Sequence, residues 1–522
     1  MLLPYRLYLI AAAVSFAASL LLTPLVRRLA IRWNIVDRPD EHRKLHARVT
    51  PLGGGIAVLA AFAIAVAVIA PLSSSQRAVF ADDVGFVIGL SFAALAICVV
   101  GLLDDRFALR GRQKLLGQVV AASILIASGL CIRGVQLFDW NIQLGLLAVP
   151  FTLFWLLGAI NALNLIDGVD GLATGVGIVL SLSIAAIAGL SGHRTEAFLA
   201  LAMAGALLGF LQYNRSPASI FLGDAGSMLI GLVLGALAIR GSFKGPATAA
   251  LAAPTAILAI PIFDVSMAIV RRRLTGRSIY TTDRGHLHHT LLKRGFSSTK
   301  TAALFGLLCS VTAVGAVISI AMNNEFLAYT AIGGVVLTLI VTRSYGHHES
   351  RLLAQRLKHL AVSLVPVLRK SGERSGELRT HLEGNQQWEE LWDTLTGFAE
   401  RFDLNTVQLN ITLPAHGEEF HASWQRKNTH DDKELWHSDI PLYACNVSIG
   451  RLKIAGASKH DNVCTWMSDL IAGLKPFEDH LLELIADCVT VTSNRGLASA
   501  RLVEQNRILS SHSAEEYERA ER

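Results

Sequence analysis

Cysteine is scarce in this chain: there are six in 522 residues, and no two form a C-x-x-C pair. That excludes a disulfide framework or a zinc ribbon. Cys98 and Cys309 fall inside apolar runs and Cys131 ends one, so they read as small buried hydrophobes or free thiols. Charge is scarce as well. Only 17% of residues are Asp, Glu, Lys or Arg against 52% hydrophobic, and the mean hydropathy is +0.44. An ordinary soluble globule is excluded by that balance. No internal repeat is visible either, which argues against the inverted-repeat architecture of many transporters.

What the chain does have is apolar runs long enough to cross a bilayer, each close to the roughly 20 residues a helical span needs. They fall near residues 5–26, 53–71, 84–103, 114–131, 144–161, 173–190, 197–212, 227–241, 247–270, 301–321 and 327–343. The first has no basic stretch ahead of it and is followed by Arg27 and Arg28, so it is expected to be a retained span rather than a cleaved signal. About twenty Lys and Arg lie in the loops on one side, among them Arg27, Arg28, Arg106, Lys114, Arg215 and Arg271, against five or six on the other. The positive-inside rule then predicts an N-terminus outside and a C-terminus inside. The expectation is a polytopic α-helical membrane protein with about eleven transmembrane helices.

Residues 349–522 differ in kind: they carry 20 Lys and Arg and 26 Asp and Glu, while the remainder carries 27 and 15. The sequence pI near 9.0 therefore reports basic loops beside membrane spans rather than a nucleic-acid surface. The predicted division is a transmembrane domain over 1–345, a helical linker over 346–387, a small cytoplasmic α+β domain over 388–490 and a polar helical tail over 491–522. The α+β part has a faint GAF-like pattern and no catalytic motif, so it reads as an interaction or oligomerisation domain.

Polar clusters punctuate the apolar part, all on the basic side. They are Asp104-Asp105, the run Asn161 to Gly171 with Asn164, Asp167 and Asp170, the loop Asn214 to Ser227 with Phe221 and Asp224, and Asp283 to His289. A fifth, His42 to His46, contains Lys44. Each has a plainer reading: a solvated helix end, an Asx turn, an N-cap, topology charges. Their common side favours one site. Magnesium takes one or two carboxylates with phosphates and waters, and a cation offsets the repulsion among several acids and a diphosphate. Asp264, inside the ninth run, is a functional candidate by its depth alone.

Together, the segments NALNLIDGVDGLATG, FLGDAGS, GLLDD and DRGHLHHTLLKRGF resemble the polyprenyl-phosphate N-acetylhexosamine-1-phosphate transferases, glycosyltransferase family 4, over roughly residues 5–343. The resemblance implies a bacterial inner-membrane enzyme that moves HexNAc-1-phosphate from a UDP-sugar to undecaprenyl phosphate, releases UMP and needs Mg²⁺ or Mn²⁺. It implies Asp224 and Asn164 as metal ligands and Asp167 at the catalytic centre. Asp104 and Asp105 would organise the lipid phosphate, with His288 in the catalytic set. Lys44, Lys114, Asp170, Asn214, Phe221, Arg284, His286 and His289 would bind substrate, Phe221 stacking on uracil. The HLHH loop is similar to the WecA type rather than the MraY type, which favours UDP-GlcNAc, or a related UDP-HexNAc, over UDP-MurNAc-pentapeptide and a role in O-antigen or exopolysaccharide synthesis. A homodimer or protein partner through the C-terminal domain is the remaining expectation.

Overall fold

A computed structural model describes residues 3–37, 49–72, 77, 80–138, 140–245, 248–274, 285–342, 345–346, 376–383, 388–413, 418–426, 435–444, 447–457, 463–481 and 483–484. The chain forms two compact units, Met1–Ser350 and Arg351–Arg522.

The first unit is a helical bundle. Each apolar run of the sequence overlaps a helix: α1 Leu3–Arg32, α2 Gly54–Ile69, α3 Val84–Phe107, α4 Gly111–Ala127, α5 Ala148–Ile166, α6 Leu172–Leu190, α7 Arg194–Asn214 and α8 Gly223–Arg240. Then come α9 Ala252–Ile257, α10 Ala259–Leu274, the short α11 Leu287–Lys293, α12 Ser298–Ala321 and α13 Glu325–Val341. Seven helices among the described residues are long and apolar enough to cross a membrane. The unit is therefore polytopic.

At the centre lies α8. Between Asp224 in its first turn and Arg240 in its last it is apolar all round and almost wholly buried, and α3, α5 and α2 pack on it. A helix hydrophobic on every face has no solvent or lipid side. Close approach needs small residues. A side chain at Gly101 of α3 would collide with the backbone at Ala225, and one at Gly55 of α2 with Gly226. By contrast α12 is mostly exposed and turns apolar side chains such as Leu307 and Val314 outward.

Two features depart from the sequence reading. The ninth run, expected as one span over 247–270, is two helices broken at Leu258. Pro261 accounts for the break, because its ring would clash with the carbonyl of Ile257, where α9 stops. The second is a four-stranded sheet at the ends of the helices remote from the polar clusters. It comprises β3 Gly134–Leu137, β4 Trp140–Gln143, β5 Phe243–Gly245 and β6 Thr248–Ala250, in the order β4-β3-β6-β5. (β1 Val36–Asp37 and β2 Thr50–Pro51 form a separate two-residue ladder beside the site.) In it β3 pairs parallel with β6.

The second unit is an α+β module. Strands β7 Gly376–Glu383, β8 Leu404–Leu413, β9 Glu418–Gln425, β10 Leu435–Ala444 and β11 Val447–Ala457 form an antiparallel sheet, order β10-β11-β8-β9-β7. Helix α14 Trp388–Arg401 buries Trp388, Leu391, Trp392, Leu395 and Phe398, one stripe at helical spacing. That stripe meets Val407, Leu409 and Ile411 of β8, and α15 Val463–Gly473 adds Leu470 to the same core. The helical linker expected over 346–387 is corrected in part: residues 376–383 are an edge strand paired with β9. Mostly polar and charged, that stretch has no sustained apolar alternation of its own, and its partner supplies the ladder. The rest of the linker, apart from Gly346, and the tail over 491–522 lie outside the described residues.

Candidate active site

Every described site residue lies at the same end of the bundle, where α3, α5, α7 and α10 finish and α4, α6 and α8 begin. The first turn of α8 carries Asp224, whose carboxylate takes a hydrogen bond from Asn164 Nδ2 at 2.5 Å and pairs with Lys114 Nζ at 2.9 Å. Lys114, in the first turn of α4, also pairs with Asp104 at 2.7 Å. Four helices thus meet through four side chains.

Asp105 does something different. Its Oδ1 accepts from the backbone N–H of Asp224 at 2.9 Å and its Oδ2 from that of Ala225 at 3.3 Å. The first N–H groups of a helix have no partner within it and carry its positive end. A carboxylate from α3 satisfies two of them and fixes where α8 starts. Gly223, at φ +74°, permits that approach, since a Cβ there would lie 2.6 Å from Asp105 Oδ2. Asp104 is held in turn by the backbone N–H of Leu109, at 2.8 Å.

The turn after α5 brings in Asp167 and Asp170. Asp170 accepts from Ala218 N–H at 3.0 Å. Asp167 caps α5, and among the described residues its carboxyl has no hydrogen-bond or ion-pair partner. Burial, reinforced by the charges of Asp224, Asp105 and Asp170, pushes that carboxyl well above the usual carboxylate range. Asn214 is buried, accepting from the Thr174 hydroxyl at 2.7 Å and donating to Ile220 O at 3.1 Å, so it shapes the loop leading to α8. The backbone N–H of Phe221 donates to Pro51 O at 2.9 Å, and its half-buried ring belongs to the same loop.

The histidine loop arrives from the far side of the sequence. His288 is buried against Gly168, where a Cβ would lie 2.6 Å from its Nε2. His286 stacks on it at 5.8 Å between ring centroids, and His289 lies 4.2 Å from it. Burial, then the charge of His289, pushes His288 down to about 3, so its ring is neutral at physiological pH. Lys44 and Arg284 lie outside the described residues.

Sequence reasoning missed several members. Ser227 shares Asn164 with Asp224, its Oγ accepting at 2.9 Å, and Gln118 exchanges amide hydrogen bonds with Asn161 at 2.9 and 3.2 Å. Both stand one helical turn beyond a residue already singled out, Asp224 and Lys114, which is the signal that finds them. Among the described residues no three His, Cys, Asp or Glu are grouped so as to enclose a metal ion by themselves.

The glycosyl transferase family 4 profile matches residues 87–242, from α3 to the end of α8. A probable undecaprenyl-phosphate N-acetylglucosaminyl 1-phosphate transferase of Bacillus subtilis (strain 168) is 34% identical over 311 residues, 58% of this chain and 84% of that protein. The chain belongs to glycosyl transferase family 4. Other family relatives agree: a decaprenyl-phosphate N-acetylglucosaminephosphotransferase of Mycolicibacterium smegmatis is 34% identical over 362 residues, 64% of this chain and 86% of that protein. The undecaprenyl-phosphate alpha-N-acetylglucosaminyl 1-phosphate transferase of Escherichia coli (strain K12) is 27% identical over 299 residues, covering 55% and 77%. The family profile takes in Asp104, Asp105, Lys114, Asn164, Asp167, Asp170, Asn214, Phe221 and Asp224, and stops before the histidine loop.

Proposed function

We propose that this protein transfers N-acetylglucosamine-1-phosphate from UDP-N-acetylglucosamine to a polyprenyl phosphate, undecaprenyl phosphate in the bacterial inner membrane. A phosphate oxygen of the lipid attacks the β-phosphorus, the bond from that phosphorus to the bridging oxygen breaks, and UMP leaves. The observation that carries the reading is the convergence of Asp224, Asn164, Lys114 and Asp104 at one end of four helices. The names of the relatives give the sugar and the acceptor class.

Phosphoryl transfer asks for positioning and charge neutralisation more than for covalent chemistry. A lipid phosphate is already an anion, so no strong base is required. The geometry supports organising roles for both acids of α3. Asp105 is spent on the backbone of α8, and Asp104 holds Lys114, whose ammonium can turn from carboxylate to phosphate. Asp170, Asn214 and Phe221 shape the donor side, and the histidine loop lines the other.

Mg²⁺ or Mn²⁺ fits the donor set. Asp104, Asp105, Asp167, Asp170 and Asp224 crowd one site, Lys114 is the cation paired within it, and Asp167 is uncompensated. Asp224 and the amide oxygen of Asn164 would hold the ion, with substrate phosphates and water completing its shell. When bound it supplies charge neutralisation on the diphosphate.

The same reading places the site on the cytoplasmic face, with eleven spans, an outer N-terminus and an inner C-terminus, from the asymmetry of Lys and Arg. The C-terminal α+β unit we assign to interaction or self-association. Membranes containing the protein, given undecaprenyl phosphate and labelled UDP-GlcNAc, should yield a labelled lipid and UMP. Transfer from UDP-MurNAc-pentapeptide instead would overturn the assignment.

A further inference from the structure

Asp264 lies in α10, fully buried, and belongs to no part of the chemistry assigned above. Its Oδ2 is 3.0 Å from Nδ1 of His286, and its Oδ1 accepts from the backbone N–H of Leu287, the first residue of α11, at 2.8 Å. Its backbone carbonyl accepts from the Tyr345 hydroxyl at 3.3 Å, tying the end of the bundle to the same point. Two turns further along α10, Arg271 donates from Nη2 to Gly285 O at 2.8 Å, so tightly that a side chain at 285 would run into the guanidinium. Residues 285–287 are therefore gripped from two places on one helix.

That grip reaches the active site through the rings. His286 stacks parallel on His288, 6° between the planes, and His288 lies against Gly168, next to Asp167. A carboxylate accepting from Nδ1 requires the proton to sit on that nitrogen, so whenever the ring is uncharged it is Nε2 that carries the lone pair. We propose that Asp264 is a positioning residue that fixes both the place and the tautomer of His286, and through it the stacked histidines that close the active site. It acts through the histidine and touches no substrate. A cap for α11 would explain only the contact with Leu287; the second oxygen on His286 is what a cap leaves unexplained.

The proposal rests on the transferase reading, and its test separates the two. Asp264→Asn keeps the volume and one acceptor for Leu287 N–H, but presents an N–H₂ to His286 and so reverses the tautomer. In detergent-purified full-length protein, kcat for labelled GlcNAc-1-phosphate transfer is expected to fall about 10- to 100-fold, by analogy with the loss when the carboxylate behind a metal-bound histidine is removed. KM for the donor and the thermal midpoint should stay near their wild-type values. Combined with His286→Ala, Asp264→Asn should add no further loss, because both act through one ring. A wild-type kcat in Asp264→Asn, or a fully additive double variant, overturns the proposal. Independently of turnover, carbethoxylation of His286 by diethyl pyrocarbonate, mapped by peptide mass spectrometry, should run several-fold faster in Asp264→Ala than in wild type. An unchanged rate also overturns the proposal. An inactive wild type whose His286 is nonetheless protected by Asp264 defeats the transferase reading and leaves the positioning role standing.

Discussion

Asp167 sits among carboxylates with nothing described to answer it, and that imbalance has a measurable sign. Its carboxyl is raised in the folded protein, so the folded state binds a proton more tightly than the unfolded chain does. Stability of the metal-free protein is then full below the ordinary Asp value of about 3.9 and declines as pH rises toward the elevated one. Asp167→Asn should raise the thermal midpoint in chelator at pH 7 to 8, and the gain should vanish near pH 4. Activity should go the other way: Asp224→Ala is expected to lower transfer at least about 100-fold, the scale for removing one preorganised electrostatic group. Size-exclusion elution and a melting curve would show that the fold survives. In the sequence, NALNLIDGVDG and FLGDAGS marked where Asn164, Asp167 and Asp224 stand. The division of labour between Asp104 and Asp105 was not legible there. It depends on which of two adjacent carboxylates meets the start of α8, and that is decided by a packing distance 119 residues away.

Among the elements, α8 is the one whose placement sets the site. Gly223 adopts a left-handed φ and clears Asp105 by a narrow margin. Gly223→Ala should cost about 1–2 kcal/mol in backbone strain, and more as the Asp105 carboxylate is displaced. Donor KM and kcat should both worsen, read in steady-state transfer assays. The helices were legible because apolar runs of span length, ended by charged or glycine-rich loops, leave few alternatives. The division of the ninth run at Leu258 was foreshadowed by Pro261, but proline in a membrane helix is common enough that the residue alone does not announce a break. The strands β3 to β6 were illegible for a simpler reason. Three or four residues are too few to display a period of two, and β3 finds its partner more than 100 residues downstream.

On the scale of the whole molecule, the end of the bundle remote from the site has its own tie. Arg240, at the last turn of α8, pairs with both Glu196 and Asp83 and lies 4.1 Å from the ring centroid of Phe86. Thr195 donates a further hydrogen bond to Asp83 at 2.6 Å. Removing Arg240 alone leaves acids without their counterion at a largely enclosed position, so Arg240→Met should destabilise by about 3 kcal/mol. Removing one of the two acids with Glu196→Gln should recover part of that, as tracked by thermal unfolding in detergent. Removing residues 351–522 should leave transfer by the first unit in place, judged by labelled lipid extracted from membranes. The same remote end holds the parallel pairing of β3 with β6, where Gly134 faces Thr248 and Gln136 faces Ala250. A ribosome delivers these partners far apart in time, so β3 waits with one edge open while four further helices are made and inserted. Nascent chains halted before Thr248 should be cut by protease near residues 134–143, and chains released after Ala250 should resist.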